Sequence, residues 1–134
     1  MLYLPDTNVW IHHLNPTSSS VKTRLSACLP SQIALCDVVK AELYFGAYKS
    51  ARQKENLALL EMLFSEFASF AFDSKAAHIF GDIRADLAQK GTPIGPYDLQ
   101  IAAIALANDC ILVTHNTDEF SRIAGLKLED WEVA

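Results

Sequence analysis

The chain has 134 residues and a formal net charge of −5, with 51% hydrophobic and 20% charged residues. This length suits one domain, and the composition excludes an intrinsically disordered chain. No apolar window reaches the roughly 18 residues of a membrane span, and no basic stretch followed by a cleavable apolar segment begins the sequence. Three cysteines without C-x-x-C spacing favour a reducing compartment and argue against a zinc ribbon. We therefore expect a cytoplasmic protein with no membrane attachment.

The charge is distributed unevenly along the chain. Residues 1–60 contain six Lys/Arg and four Asp/Glu, whereas residues 61–134 contain five Lys/Arg and twelve Asp/Glu. A net negative protein is not a typical partner for nucleic acid. The densest basic group, formed by Lys49, Arg52 and Lys54, is interpreted as a solvated junction between helices. Charge alone therefore does not indicate nucleic-acid binding.

The first predicted element is a strand that begins almost at the N-terminus and ends at Asp6. An apolar run that stops at a carboxylate is typical of a buried parallel strand whose C-terminal end opens into a site. Thr7 or Asn8 is predicted to cap the helix that follows, which extends to Leu14. The competing interpretation makes Asp6 itself a turn or N-cap residue.

The next segment predicts helix, strand and helix. A break over residues 15–20 precedes a helix over 21–28, and a short strand follows over 32–36. Asp37 is predicted to cap a helix over 38–48, in which Val38, Ala41 and Phe45 share one apolar face with Glu42. A carboxylate there needs a partner, a ligand or a position at the rim of a cleft. A solvated rim position without function remains the alternative.

A third acid, Asp98, follows a loop that is rich in Pro and Gly. The middle of the chain predicts a helix over 53–67, a strand or extended linker over 69–72, and a helix that starts after Asp73 and stops at Gly91. The loop 91–96 then delivers Asp98 into the first turn of a helix that is apolar on all sides and therefore buried. The helix dipole favours an ionised acid there. Asp98 is predicted to be a metal ligand, with capping alone as the alternative.

The last segment completes an α/β pattern. An apolar strand over 110–114 ends at polar residues 115–119, and residues 126–128 predict a final short strand. Strands alternating with helices indicate parallel pairing, because parallel neighbours need helical crossovers. We expect one α/β domain over residues 1–134, with a parallel sheet flanked by helices in three α/β/α layers.

Four acidic stretches should meet at one edge of this sheet: Asp6, Glu42, Asp98 and residues 116–119. Clustered carboxylates raise one another's pKa unless a cation lies between them. Hard oxygen ligands suit Mg²⁺ or Mn²⁺. Such a site can orient a water for in-line attack on a phosphodiester.

The same stretches carry a family resemblance that spans nearly the whole chain. Its motifs are Asp6-Thr7-Asn8, Lys40-Ala41-Glu42-Leu43, Pro93-Ile94-Gly95-Pro96-Tyr97-Asp98 with Ile101-Ala102-Ala103, and Thr114-His115-Asn116-Thr117-Asp118-Glu119-Phe120. In this order and spacing they resemble the PIN domain, and more closely the VapC-type ribonuclease toxins of toxin–antitoxin pairs. Each motif alone is weak, and the four together are specific.

The resemblance implies a metal-dependent endoribonuclease toxin that cleaves structured RNA such as tRNA. It implies Asp6 and Asp98 as the main metal ligands, with Glu42 and Glu119 completing the acidic site. Asn116 would be a neutral ligand or orienting group, and Thr7 and Asn8 would support the site. The resemblance further implies a homodimer, inhibited by a VapB-type antitoxin with which it forms a larger assembly.

Two residues depart from the family pattern, and three other functions are considered. Pro5 removes a hydrogen-bond donor from a strand expected at the sheet's centre, and Asp37 stands where relatives commonly have Ser or Thr. A phosphatase with an aspartyl nucleophile would need a second acid where Asn8 stands. A receiver-type switch would need a Lys where His115 or Asn116 stands. A PIN-like interaction module without catalysis is the third rival, and the intact acidic motifs argue against it.

Overall fold

The computed structural model describes residues 1–15, 17 and 19–133. The strands in this part of the chain are β1 (Tyr3–Pro5), β2 (Ala34–Cys36), β3 (Ala68–Phe70), β4 (Ile111–Val113) and β5 (Lys127–Glu129). The helices are α1 (Thr7–Leu14), α2 (Ser20–Ala27), α3 (Asp37–Lys49), α4 (Gln53–Phe64), α5 (Ser74–Gln89), α6 (Pro96–Ala107) and α7 (Thr117–Phe120), with a 3-10 turn at Pro30–Gln32.

Most predicted elements are present with small shifts at their ends. The helix predicted to reach Phe67 ends at Phe64, and the segment left open between strand and linker contains β3. Residues 16 and 18 of the predicted break over 15–20 lie outside the described residues.

All strand pairings are parallel. β1 pairs with β4, β4 with β5, and β2 with β3, while a single bridge between Tyr3 and Ile33 joins the two groups. The resulting order is β3-β2-β1-β4-β5, with β1 at the centre. The connections to β2 and β3 run in one direction and those to β4 and β5 in the other. The order therefore reverses next to β1, and ligands of open α/β sheets bind at such a reversal, beyond the carboxyl ends of the strands.

Pro5 is accommodated at the end of β1. The Asp6 amide donates to the Val113 carbonyl of β4 at 2.9 Å, and successive residues of a strand direct their amides to opposite sides. Pro5 therefore faces β2, where Tyr3 and Ile33 form the bridge between the two strands. Its missing donor leaves the pairing with β4 intact, and Pro5 keeps its register opposite Val113.

Helices flank the parallel sheet, as predicted. Right-handed crossovers that run in opposite directions place their helices on opposite faces of a sheet. Accordingly α1 packs on α2 and α3 on α4, while α5 packs on α6. Seven of the twelve residues of α6 are buried, which confirms the helix predicted to be apolar on all sides. Within the described residues, none of the helices has both the length and the apolarity of a membrane span.

Candidate functional site

Asp6 is both a helix cap and a site residue. Its carboxylate accepts a hydrogen bond from the Val9 amide at 3.0 Å, so Asp6 caps α1 and the prediction of Thr7 or Asn8 as the cap is wrong. The side chain is only 7% exposed, and it still borders the cleft that opens at the reversal of strand order. Asp6 therefore caps α1 and also lines the cleft, so the two interpretations offered for this residue are compatible.

The surroundings of Asp6 oppose its ionisation. Burial raises the pKa of the Asp6 carboxyl, while the Thr114 hydroxyl and the Val9 amide lower it. The negative charges of Glu132 and Glu42 raise this pKa further. Thr114 is fully buried at the end of β4, and the sequence analysis named it within the fourth motif without giving it a role at Asp6. A single Thr after an apolar strand carries no distinctive signal there.

Glu42 is held in place from α1. The Thr7 hydroxyl donates to Glu42 Oε1 at 2.7 Å, which joins the first turn of α1 to α3. The predicted apolar face of α3 is wrong in part, because Ala41 is exposed and Phe45 is 66% exposed. Both of them line the cleft beside Glu42. Glu42 therefore lies at a rim, with a positioned carboxylate.

Asp37 does not cap α3, which corrects the sequence prediction. Cys36 is the N-cap residue, and Asp37 lies in the first turn of the helix. Its exposed carboxylate accepts from the Ser69 hydroxyl at 3.3 Å and lines the same cleft. A negative charge in a first turn is favoured by the helix dipole. The sequence therefore contained one more cleft acid than the four stretches indicated.

Asp98 lies in the first turn of α6, as predicted, but its ionisation departs from expectation. Burial, followed by the charges of Glu119, Asp6 and Glu42, raises the pKa of the Asp98 carboxyl to about 6. The helix dipole alone would lower this pKa. Desolvation and the neighbouring carboxylates outweigh the dipole. Asp98 thus has a raised pKa mainly because it is buried, with a further contribution from the three neighbouring acids.

The acids meet in one cleft of about 800 Å³. It is lined by Asp6, Thr7, Asn8, Ile11, Asp37, Val38, Ala41, Glu42, Phe45, Tyr97, Asp98 and Gln100. This lining contains four carboxylates and neither Lys nor Arg. Because the lining offers the carboxylates no compensating cation, their oxygens form a donor set that fits a hard divalent ion.

Glu119 and Asn116 lie next to this cleft and are not among its lining residues. Glu119 is close enough to Asp98 to raise its pKa. Asn116 donates through its side-chain amide to Glu119 Oε2, and its backbone amide donates to the Thr114 hydroxyl at 3.0 Å. Asn116 therefore contacts both Glu119 and the Thr114 hydroxyl beside Asp6.

A second polar cluster was missed from the sequence. His115 Nδ1, a carboxylate oxygen of Asp130 and one of Glu132 all lie within 4.8 Å of one another. Among the described residues, no other three His, Cys, Asp or Glu side chains have ligand atoms this close together. The carboxylates of the cleft are therefore spaced more widely than those of this cluster. The cluster follows β4 and β5, whereas the cleft follows β1.

A profile of the PIN domain matches residues 3–126 of the chain. The chain belongs to the PIN-domain family. The tRNA(fMet)-specific endonuclease VapC of Shigella flexneri is 38% identical over 129 residues, which cover 96% of this chain and 97% of that protein. Ribonuclease VapC2 of Rickettsia felis is 36% identical over 133 residues, covering 98% and 99%. Within the family, this chain groups with the VapC ribonucleases.

Solved structures of PIN-domain toxins have the same fold. The DNA-bound VapBC complex of Salmonella typhimurium contains a chain with a TM-score of 0.90 and 38% identity, over 98% of this chain and 99% of that one. The VapBC2 complex of Rickettsia felis, bound to a promoter DNA fragment, contains a chain with a TM-score of 0.89 and 35% identity, again over 98% of this chain and 99% of that one. The family predicted from the motifs and the parallel sheet flanked by helices are thereby confirmed. PIN-domain ribonucleases generally depend on divalent metal ions.

Proposed function

We propose that this PIN-domain protein is a Mg²⁺- or Mn²⁺-dependent endoribonuclease toxin that cleaves structured RNA, with tRNA as the foremost substrate. The observation that supports this most directly is the meeting of Asp6, Glu42 and Asp98 in a cleft lined by neither Lys nor Arg. Similarity to proteins named tRNA(fMet)-specific endonuclease and ribonuclease supports the substrate class.

Asp6 and Asp98 are proposed to hold the ion, because they border the cleft and their pKa values are raised by burial and by the other acids. Bound there, a hard cation would activate a water and neutralise charge on the phosphodiester. Asp6 is fixed as the cap of α1, so its carboxylate is pre-oriented before any ion arrives. Thr7 supports the site by holding Glu42 in one orientation.

Glu42 and Glu119 are proposed to complete the catalytic acids. Glu42 is positioned at the rim, where its carboxylate can accept a hydrogen bond from an attacking water. Asn116 orients Glu119 through its side-chain amide. Asn8 borders the cleft beside Asp6 and supplies a neutral amide toward the substrate.

The proposed partners follow from the relatives. VapBC complexes are assemblies of a VapC chain with its antitoxin, and two of those similar to this chain were solved bound to DNA. We extend to this chain a VapB-type antitoxin, a homodimer and a larger toxin–antitoxin assembly. A cytoplasmic location belongs to the same proposal and agrees with the three free cysteines.

Cleavage of tRNA by purified protein, with and without chelator, tests this function. We expect activity with Mg²⁺ or Mn²⁺, none in EDTA, and none from Asp98→Asn. Asp82→Asn is the matched control, since Asp82 is an exposed acid of α5 outside the cleft. Cleavage by the wild type in EDTA, or cleavage by Asp98→Asn, would overturn the proposal. An Asp6→Asn variant prepared in the same way is the control for contaminating nuclease, because any cleavage in that preparation comes from a contaminant.

A further inference from the structure

The cluster at the ends of β4 and β5 has the spacing of a metal site. His115 Nδ1 lies 3.0 Å from Asp130 Oδ2 and 3.9 Å from Glu132 Oε2. Ligands of a tetrahedral ion with bonds of roughly 2.0–2.1 Å are separated by about 3.3 Å. The observed separations lie on either side of that value. Small side-chain movements would therefore bring all three atoms onto one ion.

A fourth potential ligand comes from α1. His12 Nε2 lies 3.4 Å from Glu132 Oε1, so the two oxygens of Glu132 each face an imidazole. The set consists of two imidazoles and two carboxylates from three separate parts of the chain. Imidazole together with carboxylate favours Zn²⁺ and similar transition-metal ions over Mg²⁺, which prefers oxygen ligands alone.

The segment that carries the two carboxylates is anchored. Trp131 lies between them, is 2% exposed, and donates from Nε1 to Glu129 Oε1 at 3.0 Å. Its carbonyl accepts from the Ser20 hydroxyl at 2.8 Å. The Glu132 amide donates to Asp130 Oδ1 at 2.9 Å, which leaves Oδ2 directed at His115. The ligand atoms are thus pre-positioned by a buried tryptophan and by three hydrogen bonds.

We propose that His115, Asp130 and Glu132 form the core of a second metal site, which binds a transition-metal ion of the Zn²⁺ class separately from the acidic cleft. His12, which now contacts only Glu132 within this group, would reach the ion by a side-chain movement. The ion would join α1, the end of β4 and the segment after β5. It would also neutralise Glu132, whose charge acts on Asp6. This site does not depend on the proposed ribonuclease activity.

Titration of the purified full-length chain with Co²⁺, followed by visible absorption and by displacement with Zn²⁺, tests the site. Low-coordinate Co²⁺ absorbs strongly, whereas octahedral Co²⁺ held by oxygens absorbs weakly, so the spectrum reports the geometry. We expect one strongly absorbing ion per chain, displaced by one equivalent of Zn²⁺. A Cys28→Ser background removes the partly exposed thiol as a competing ligand.

Variants of single residues show which side chains bind the ion. We expect His115→Ala and Glu132→Gln to weaken Co²⁺ binding at least about 10-fold, the scale of losses seen when a metal site is perturbed. Asp98→Asn and His78→Ala should leave the strongly absorbing Co²⁺ species unchanged, because both residues lie outside the cluster and His78 is an exposed histidine of α5. Unfolding curves in EDTA establish that each variant is folded, and Asp130→Asn, which keeps the side-chain volume, replaces any variant that is not.

Two results would overturn the second site. Equal Co²⁺ affinity of the wild type and of folded His115→Ala and Glu132→Gln would show that the cluster holds no ion. Loss of the strong absorption in Asp98→Asn would assign the ion to the acidic cleft. Loss of RNA cleavage plays no part in the readout, so the proposed function and this site fail independently.

Discussion

The acidic cleft and the His115–Asp130–Glu132 cluster lie at the same edge of one sheet and resolve their charge differently. The cleft brings four carboxylates together without Lys or Arg in its lining, and the pKa of Asp98 rises to about 6. The cluster pairs its carboxylates with imidazole, and the pKa of His115 rises because Asp130 accepts its hydrogen bond and because Glu132 is near. The carboxylates of the cleft therefore repel one another without a basic partner, whereas those of the cluster are paired with histidines. Compensation for the cleft acids must therefore come from solution, whereas the carboxylates of the cluster already have histidine partners within the chain.

The largest expected effect is the loss of catalysis when a cleft acid is neutralised. Asp6→Asn should lower the rate of RNA cleavage at least ~10³-fold, because a proposed metal ligand that also borders the cleft is replaced by a neutral amide. The Asn side chain still offers an oxygen to the Val9 amide, so the cap of α1 should survive. Rates of tRNA cleavage at saturating Mg²⁺, with Asp82→Asn as the control, measure the effect. A variant that retains a tenth of the activity would place the ion elsewhere.

The second effect concerns stability without metal. A raised carboxyl pKa means that the folded state holds the proton more tightly than the unfolded state. Asp98 therefore costs almost nothing well below the ordinary aspartate pKa of 3.8, destabilises the fold increasingly as pH rises from there to about 6, and contributes a constant penalty above that value. Asp98→Asn should raise the free energy of unfolding by about 1–2 kcal/mol at pH 7.5 in EDTA, after solvent screening is allowed for.

Urea unfolding of both proteins at pH 3.5 and 7.5 in EDTA checks this difference. The gain from Asp98→Asn should nearly vanish at the lower pH, where Asp98 is mostly protonated in both states. Saturating Mg²⁺ should reverse it, because the ion stabilises only the protein that binds it. A loss of stability at pH 7.5 in EDTA would instead show that Asp98 serves as a structural residue of the first turn of α6.

The third effect is smaller and tests the positioning of Glu42. Thr7→Val keeps the shape of the side chain and removes the hydroxyl that donates to Glu42 Oε1 at 2.7 Å. We expect a loss of about 0.5–1.5 kcal/mol in unfolding free energy, and about 10-fold slower cleavage because Glu42 is no longer held in one orientation. Thr7→Ser should restore both quantities. Unchanged activity in Thr7→Val would remove Thr7 from the supporting residues.

The smallest effect lies in the compensated region. The raised pKa of His115 means that its pairing with Asp130 stabilises the fold fully below the unfolded pKa of 6.5, and that this contribution disappears as pH rises through the folded value. In EDTA, His115→Gln should therefore have a lower unfolding midpoint than the wild type at pH 5.5. The two midpoints should converge at pH 8.5. A difference that grows with pH would contradict the pairing.

The local sequence pattern was sufficient to predict most strands and helices and to identify the family. Strands and helices follow from the apolar periodicity and from caps and breakers, which act within a few residues. Asp98 was placed in the first turn of a buried helix because a Pro- and Gly-rich loop and an apolar run adjoin it in sequence. The parallel direction of the strand pairs likewise follows from the alternation of strands and helices, whereas their order in the sheet does not.

Tertiary structure decided how the side chains are used. Phe45 belongs by spacing to an apolar stripe, yet none of the elements that the structure describes covers it, and it is 66% exposed on the cleft. The pKa of Asp98 rises because desolvation and charges from distant parts of the chain outweigh the dipole of its own helix. His115 and Asp130 are 15 residues apart and meet only because β4 and β5 pair, with Trp131 buried beside them. Burial and electrostatics depend on which elements are neighbours, and only the packed sheet determines that.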